Sequence, residues 1–95
     1  MQMEFTGPVW FWKGPAPWHF VTVPDDESGA LEAVSPMVTY GWGMIPVEVQ
    51  VGAAQWSTAL FPKDGRYLVP LKDVVRKRLG VSDGDVIAVE LTIGS

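Results

Sequence analysis

Residues 65–91, GRYLVPLKDVVRKRLGVSDGDVIAVEL, carry the clearest succession of structural signals in the chain. Residues 66–69 predict a short strand, and Pro70 predicts the first turn of a helix. Gly80 stands where a left-handed C-cap ends such a helix, and alternation from Val86 to Ile93 predicts a closing strand. The expected buried stripe of the helix consists of Leu71, Val74, Val75 and Leu79. This stretch therefore predicts a strand, a helix and a strand.

The most aromatic part of the chain is VWFWKGPAPWHF, residues 9–20. Its glycine and prolines divide it into two predicted strands, over residues 5–12 and 18–23. Alternation places both tryptophans of the first strand on one face, and Trp18 with Phe20 on one face of the second. We expect two or three of the five tryptophans of the chain to lie in the core and the others to flank a pocket.

The rest of the chain completes a small barrel. The acidic residues after Pro24 favour the start of a short helix over about 26–34, with Pro36 just beyond its end. Further strands are predicted over residues 45–51 and 56–61. Six or seven short strands with two short helices predict a mainly β protein, a small closed barrel formed as one domain by residues 1–95.

The composition excludes several classes of protein. The chain has no cysteine, so it holds no disulfide and no thiolate metal site. It contains no P-loop, dinucleotide fingerprint, nucleophile elbow or metal-ligand cluster, and we therefore expect no cofactor and no metal. No stretch reaches the ~20 apolar residues of a membrane span, and no signal peptide is recognisable at the start. We therefore expect a soluble, cytoplasmic protein that does not bind membranes.

The strand, proline, basic helix, Leu-Gly-Val and Gly-Asp-Val of residues 65–91 resemble the swapped-hairpin unit of AbrB-like and MazE-like proteins. In those proteins two copies of the unit, usually from two chains, close a double-split barrel. The resemblance implies that the first half of this chain is a degenerate second copy. His19 to Pro24 would then match Arg66 to Pro70, with one residue of slippage.

A second resemblance covers nearly the whole chain. Its motifs include Trp18-His19-Phe20-Val21, Gly41-Trp42-Gly43, Ile45-Pro46-Val47, Trp56-Ser57-Thr58, Leu60-Phe61-Pro62 and Gly84-Asp85. Together they look like the domain-of-unknown-function family nineteen-oh-five. This resemblance implies a monomeric double-split barrel with pseudo-duplicated strand–helix–strand halves, and it implies no biochemical activity.

A binding site is expected near the Tyr40-Gly41-Trp42-Gly43 loop, because glycines let a backbone approach a ligand closely. The alternative, which the frequent use of tryptophan in small cores favours, is that Trp42 is a lid over the barrel end. Arg66 and Lys72 would add cations beside Trp42 and suit a small anionic or aromatic ligand. The predicted function is a non-enzymatic binding or interaction module for a small molecule or a protein partner, with candidate ligand-binding residues Tyr40, Trp42, Arg66 and Lys72.

Two alternatives stay open. Lys72, Arg76, Lys77 and Arg78 could contact phosphates, which would make the chain a nucleic-acid-binding regulator of AbrB-like type. The net charge of −4 disfavours this alternative without excluding a local basic face. The other alternative is an enzyme that uses His19, the only histidine, although acid–base chemistry needs a partner that the sequence does not place beside it.

Overall fold

The computed structural model describes residues 1–38 and 43–94. Within them the chain forms six strands and two helices, in this order: β1 (Gln2–Trp12), β2 (Trp18–Thr22), α1 (Asp25–Val38), β3 (Ile45–Val51), β4 (Ala54–Lys63), β5 (Arg66–Leu71), α2 (Asp73–Leu79) and β6 (Val86–Ile93). The strands close a barrel in the order β1-β2-β5-β4-β3-β6, and every neighbouring pair is antiparallel. The predicted closed barrel with two short helices is confirmed.

The strand order contains an internal two-fold relation. Exchanging β1 with β4, β2 with β5 and β3 with β6 reproduces the same cyclic order read in the opposite direction. Helix α1 separates β2 from β3 as α2 separates β5 from β6, so each half is β–β–α–β. Strands of one half are inserted between strands of the other, which is the double-split arrangement. One chain therefore supplies both halves of the barrel.

The correspondence between the halves has a different register from the sequence match. Matching Pro24 with Pro70 would make Val23 the counterpart of Val69. The helices instead begin at Asp25 and Asp73, which makes Val23 the counterpart of Leu71. Val23 and Leu71 are both buried in the core, as equivalent positions of the two halves should be.

Alternate side chains of the strands fill the barrel interior. The predicted alternation of β3 and β6 is confirmed, since their buried residues are Ile45, Val47, Val49, Val51, Ile87, Val89, Leu91 and Ile93. Leu31 of α1 joins the same cluster and is fully buried. No helix in residues 1–38 and 43–94 has both the length and the apolar character needed to cross a membrane.

Helix α2 differs from its prediction. Pro70 and Leu71 belong to β5 and are buried there, and the helix begins at Asp73. The predicted helical stripe therefore fails at two positions, because Leu71 is a strand residue and Val74 is 71% exposed. Pro70 can lie in a strand because proline has an extended-compatible φ and loses only one ladder donor. Gly80 does end the helix as a left-handed C-cap, as predicted, and its φ is 69°.

Helix α1 runs past its predicted end, to Val38, with Pro36 in its last turn. Its start is fixed by a buried hydroxyl. Ser28 Oγ donates to the carbonyl of Val23 (2.9 Å) and accepts from the amide of Tyr67 (3.2 Å). The amide of Val23 also donates directly to the carbonyl of Tyr67 at 2.8 Å. Val23 and Tyr67 are therefore joined by one direct hydrogen bond and by the Ser28 hydroxyl, just beyond the end of the β2–β5 ladder. This hydroxyl holds α1 against the two strands that join the halves.

We expect Ser28→Ala to lower the free energy of unfolding by about 1–3 kcal/mol, because it leaves a buried carbonyl and a buried amide without their partner. Urea denaturation followed by circular dichroism measures this loss. Ser57→Ala is the matched control, since the Ser57 hydroxyl bonds Glu48 at an exposed position. A loss for Ser28→Ala no larger than for Ser57→Ala would contradict the bridging role.

Candidate binding groove

The tryptophans of β1 and β2 lie on the outside of the barrel. Val9 and Val21 point inward and are buried, so their neighbours Trp10 and Phe20 point outward. The expectation of two or three core tryptophans is wrong for the described ones. Trp10 and Trp56 are half-buried and the other two, Trp12 and Trp18, are exposed. The narrow interior of the six-stranded barrel is filled mainly by aliphatic side chains, with Phe5 and Tyr67, and Trp56 packs against this core.

These outward rings form one wall of a concave surface, which we call the aromatic groove. It has a volume of ≈ 700 Å³, within the range of pockets that hold small organic ligands. It crosses the outer faces of β2, β5 and β4, and the turn after β1 overhangs it. Its lining residues are Trp12, Pro15, Ala16, Trp18, Phe20, Thr58, Phe61, Pro62, Lys63, Leu68, Pro70 and Lys72.

Phe20 forms the floor of the aromatic groove, and other rings stand around it. It is buried on the outer side of β2, beneath Trp12 (6.2 Å between ring centroids) and Phe61 (6.2 Å). Trp12, Trp18 and Phe61 remain 40%, 42% and 41% exposed. Apolar rings left this open within one concavity are typical of a binding surface, because solvent contact of contiguous apolar area is unfavourable.

Two contacts fix the position of Trp12 at the rim. Lys63 Nζ lies 4.3 Å from the centre of its ring, in cation–π geometry. On the other side the indole packs against the Gly14 backbone so closely that a Cβ there would lie 2.1 Å from the indole nitrogen. The turn after β1 therefore needs glycine at position 14 for Trp12 to hold this orientation.

The aromatic groove carries positive charge only. Lys63 and Lys72 are its two ionisable lining residues, and none of its described lining residues is acidic. Lys63 lies opposite Arg66 at the start of β5, and Lys72 follows Leu71 at the end of that strand. The two cations therefore enter from opposite ends of β5, with apolar side chains between them.

Comparison with models of known protein families assigns the chain to a family. The model of the family described as domain of unknown function (DUF1905) matches residues 5–91. The chain belongs to the DUF1905 family. No curated protein matches it. The matched span includes every residue that lines the aromatic groove, so the groove lies wholly within the DUF1905 domain.

The candidate ligand residues of this DUF1905 chain fall in different places. Lys72 lines the aromatic groove, whereas Tyr40 and Trp42 lie outside the described residues. Arg66 is held by Asp25, whose carboxylate accepts from its Nε at 2.6 Å and raises the pKa of the guanidinium. Arg66 lines a neighbouring depression of ≈ 410 Å³ that shares Lys63 and Leu68 with the groove.

The basic residues from Lys72 to Arg78 are not equivalent. Lys72, just before α2, lines the aromatic groove, and Arg76 is half-buried with its Nη2 3.7 Å from Asp73 Oδ1. The Nε of Arg76 is buried without a hydrogen-bond partner among the described residues. Lys77 and Arg78 are exposed. The interpretation that all four residues contact the phosphates of a nucleic acid stays a prediction.

His19 has an acidic partner that sequence reasoning missed. Its Nε2 lies 2.8 Å from Asp83 Oδ1, and its ring lies 4.7 Å from that of Phe11. Asp83 belongs to the turn before β6, which is bonded to β1 through Gly84 and Val9 (2.7 Å). No group of three metal-ligating side chains occurs in the described parts of the chain. His19 thus joins β2 to that turn, and Asp83 is a potential acid–base partner for the enzyme alternative, which stays a prediction.

The opposite side of the barrel is polar and acidic. Glu4 of β1 and Glu90 of β6 are cross-strand partners. The hydrogen bond and the negative charge of Glu4 raise the pKa of Glu90. Gln2, Glu48 and Gln50 lie on the same surface. The barrel therefore separates an acidic outer face from the cationic aromatic groove.

Repulsion between Glu4 and Glu90 predicts a pH-dependent gain from Glu90→Gln. A raised folded-state pKa means that the folded chain retains this proton above the ordinary value of 4.5, so stability falls as the pH rises through that window. We expect Glu90→Gln to raise the thermal midpoint at neutral pH and to have less effect near about pH 4, where the proton is already bound. Glu32→Gln on α1 is the control, and equal gains at both pH values would contradict the repulsion.

We expect Gly14→Ala to reorient Trp12 without unfolding the barrel, because the added methyl group would collide with the indole and with no core side chain. Near-ultraviolet circular dichroism and tryptophan fluorescence should both change. Gly29→Ala on α1 is the control, since a Cβ there meets nothing within 4 Å. An unchanged aromatic spectrum for Gly14→Ala would show that the turn does not position Trp12.

Proposed function

We propose that the chain is a non-enzymatic binding module whose ligand-binding surface is the aromatic groove. One observation carries the proposal: Trp12, Trp18 and Phe61 are each about two-fifths exposed around one concavity that two lysines border. Burying apolar surface is favourable by about 25 cal/mol per Å². A ligand that covers the exposed parts of these rings would therefore gain binding free energy from their burial.

The chemistry of the aromatic groove supports a ligand with an apolar ring and a negative charge. Rings of the ligand would contact Trp12 and Trp18, while its anionic group would meet Lys63 or Lys72. Thr58 is the only other described lining residue with a polar side-chain atom outside the indoles. This lining suits a ligand that is bound by apolar contacts and by charge. A free sugar would need many hydrogen bonds, and this lining offers few.

The lining also supports binding rather than catalysis. The described residues of the aromatic groove include no carboxylate and no imidazole, and the amines of Lys63 and Lys72 are the groups there that could take part in general acid–base chemistry. His19 and Asp83 are not lining residues of the groove. The dyad that they form is assigned a structural role, in which it holds the turn before β6.

We also propose that the module acts as a monomer in the cytoplasm. Closure of the barrel by one chain supports the monomer, because both neighbours of every strand come from the same chain. The absence of cysteine is compatible with a reducing compartment.

The probe for the proposed function is anilinonaphthalene sulfonate, an aromatic anion whose fluorescence rises in apolar sites. We expect saturable binding to the folded chain, and about tenfold weaker binding to Trp18→Ala, which removes one exposed ring. Val74→Ala is the control, since Val74 is exposed on α2 outside the aromatic groove. Circular dichroism should show that both variants are folded.

Binding that is unsaturable, or equally strong in Trp18→Ala and wild type, would overturn the assignment of the aromatic groove. The AbrB-like alternative makes a different prediction for the wild-type chain and for Trp18→Ala. Duplex DNA would then be retarded in a low-salt gel shift, and the retardation would depend on Lys77 and Arg78 and not on Trp18.

A further inference from the structure

We infer that the natural occupant of the aromatic groove is an extended, proline-rich peptide segment with acidic residues at both ends. This inference rests on the proposed binding function and specifies the partner. It follows from three properties of the groove: the state of its backbone, the inclination of its rings, and the placement of its lysines.

The backbone of β5 under the aromatic groove offers no regular edge for another strand. β5 is paired with β2 along residues 68–71 and with β4 only along residues 66–68, and Pro70, in the part without a β4 partner, has no N–H group. A peptide cannot add itself beside β5 as a regular strand, because β2 occupies one side of it and Pro70 supplies no ladder donor. A peptide that lies over β5 is therefore held mainly through side chains, which suits polyproline II, an extended conformation without internal hydrogen bonds.

The rings are inclined to one another and leave clefts between them. Phe20 and Phe61 are nearly perpendicular, at 82°, and Phe20 and Trp12 are inclined at 44°. Such rings present no continuous flat surface for a run of stacked bases or fused rings. A pyrrolidine ring is compact and apolar, and it can enter a cleft between aromatic rings as in other aromatic-lined grooves that bind proline-rich segments.

The two lysines favour an occupant that is elongated and acidic at both ends. From Arg66, opposite Lys63, to Lys72 the chain advances six residues, or about 20 Å of strand. A polyproline II segment rises about 3.1 Å per residue, so six or seven residues cover the same distance. Acidic residues that flank such a segment would meet Lys63 at one end and Lys72 at the other.

Single-stranded nucleic acid is the competing occupant, and the charge of the chain disfavours it. A nucleic acid carries a negative charge at every nucleotide, whereas the aromatic groove offers two lysines on a protein with a net charge of −4. The depression beside the groove is lined by Asp25 and Asp64 as well as by Lys63 and Arg66, so it adds no net positive charge for a polyanion that extended past Lys63. A peptide confines its charges to the two ends.

The test is fluorescence polarisation with a labelled hexaproline peptide that carries two glutamates at each end. We expect saturable binding that Trp18→Ala weakens about tenfold or more, as the loss of an aromatic anchor does. Lys72→Glu should weaken this peptide and strengthen a matched peptide with lysines in place of the glutamates. Lys77→Glu makes the same change of charge outside the aromatic groove and should alter neither affinity.

Each other outcome overturns the inference. A peptide with serines in place of the prolines that binds equally well would show that proline is not recognised. Tighter binding of oligothymidylate would identify a nucleic acid as the occupant, and concentration-dependent dimerisation abolished by Trp18→Ala would identify a second copy of this chain. If none of these peptides binds while anilinonaphthalene sulfonate still binds in a Trp18-dependent manner, the peptide inference fails and the proposed function stands.

Discussion

The pairing of β2 with β5 is the constraint on which the rest of the structure depends. It joins the two halves of the chain directly, and Val21 lies opposite Val69 within it. Its inward residues enter the core, while Phe20 and Pro70 form part of the outer floor of the aromatic groove. A slip of one residue in this register would exchange the two sets, because strand side chains alternate between faces. One ladder therefore positions both the core and the candidate site.

The closed barrel explains why large aromatic surface lies outside. Aliphatic side chains, with Phe5 and Tyr67, occupy its narrow interior. Trp10, Trp12 and Trp18 remain on the outer face, where Phe20 and the turn after β1 shelter them only in part. Closure pairs β5 with β2 along residues 68–71 and with β4 along residues 66–68. The surface that results is apolar and cationic, and Glu4 and Glu90 lie on the other side of the barrel.

Local sequence patterns predicted which strands and helices form better than they predicted where each one begins and ends. Alternation in β3 and β6 identified their buried residues correctly, because each strand packs one face on the core. The start of α2 was placed too early, at Pro70. The φ angle of proline is compatible with both a strand and the first turn of a helix, and the pairing of Pro70 with Phe20 places it in β5. Lys72 lines the aromatic groove, and its role in ligand binding stays a prediction. Its predicted companion Arg66 forms an ion pair with Asp25, from a distant part of the chain.

The sequence by itself determined the class of fold, the repeated strand–helix–strand units and the faces that the tryptophans share, because these depend on spacing along the chain. Only the tertiary structure decided which of those faces is outside. Alternation defines two faces of a strand without stating which one meets the core, and for VWFWKGPAPWHF both faces are apolar. The pairing with β5 resolves that choice, and it brings Phe61 and Lys63 from β4 to the rings of Trp12 and Phe20.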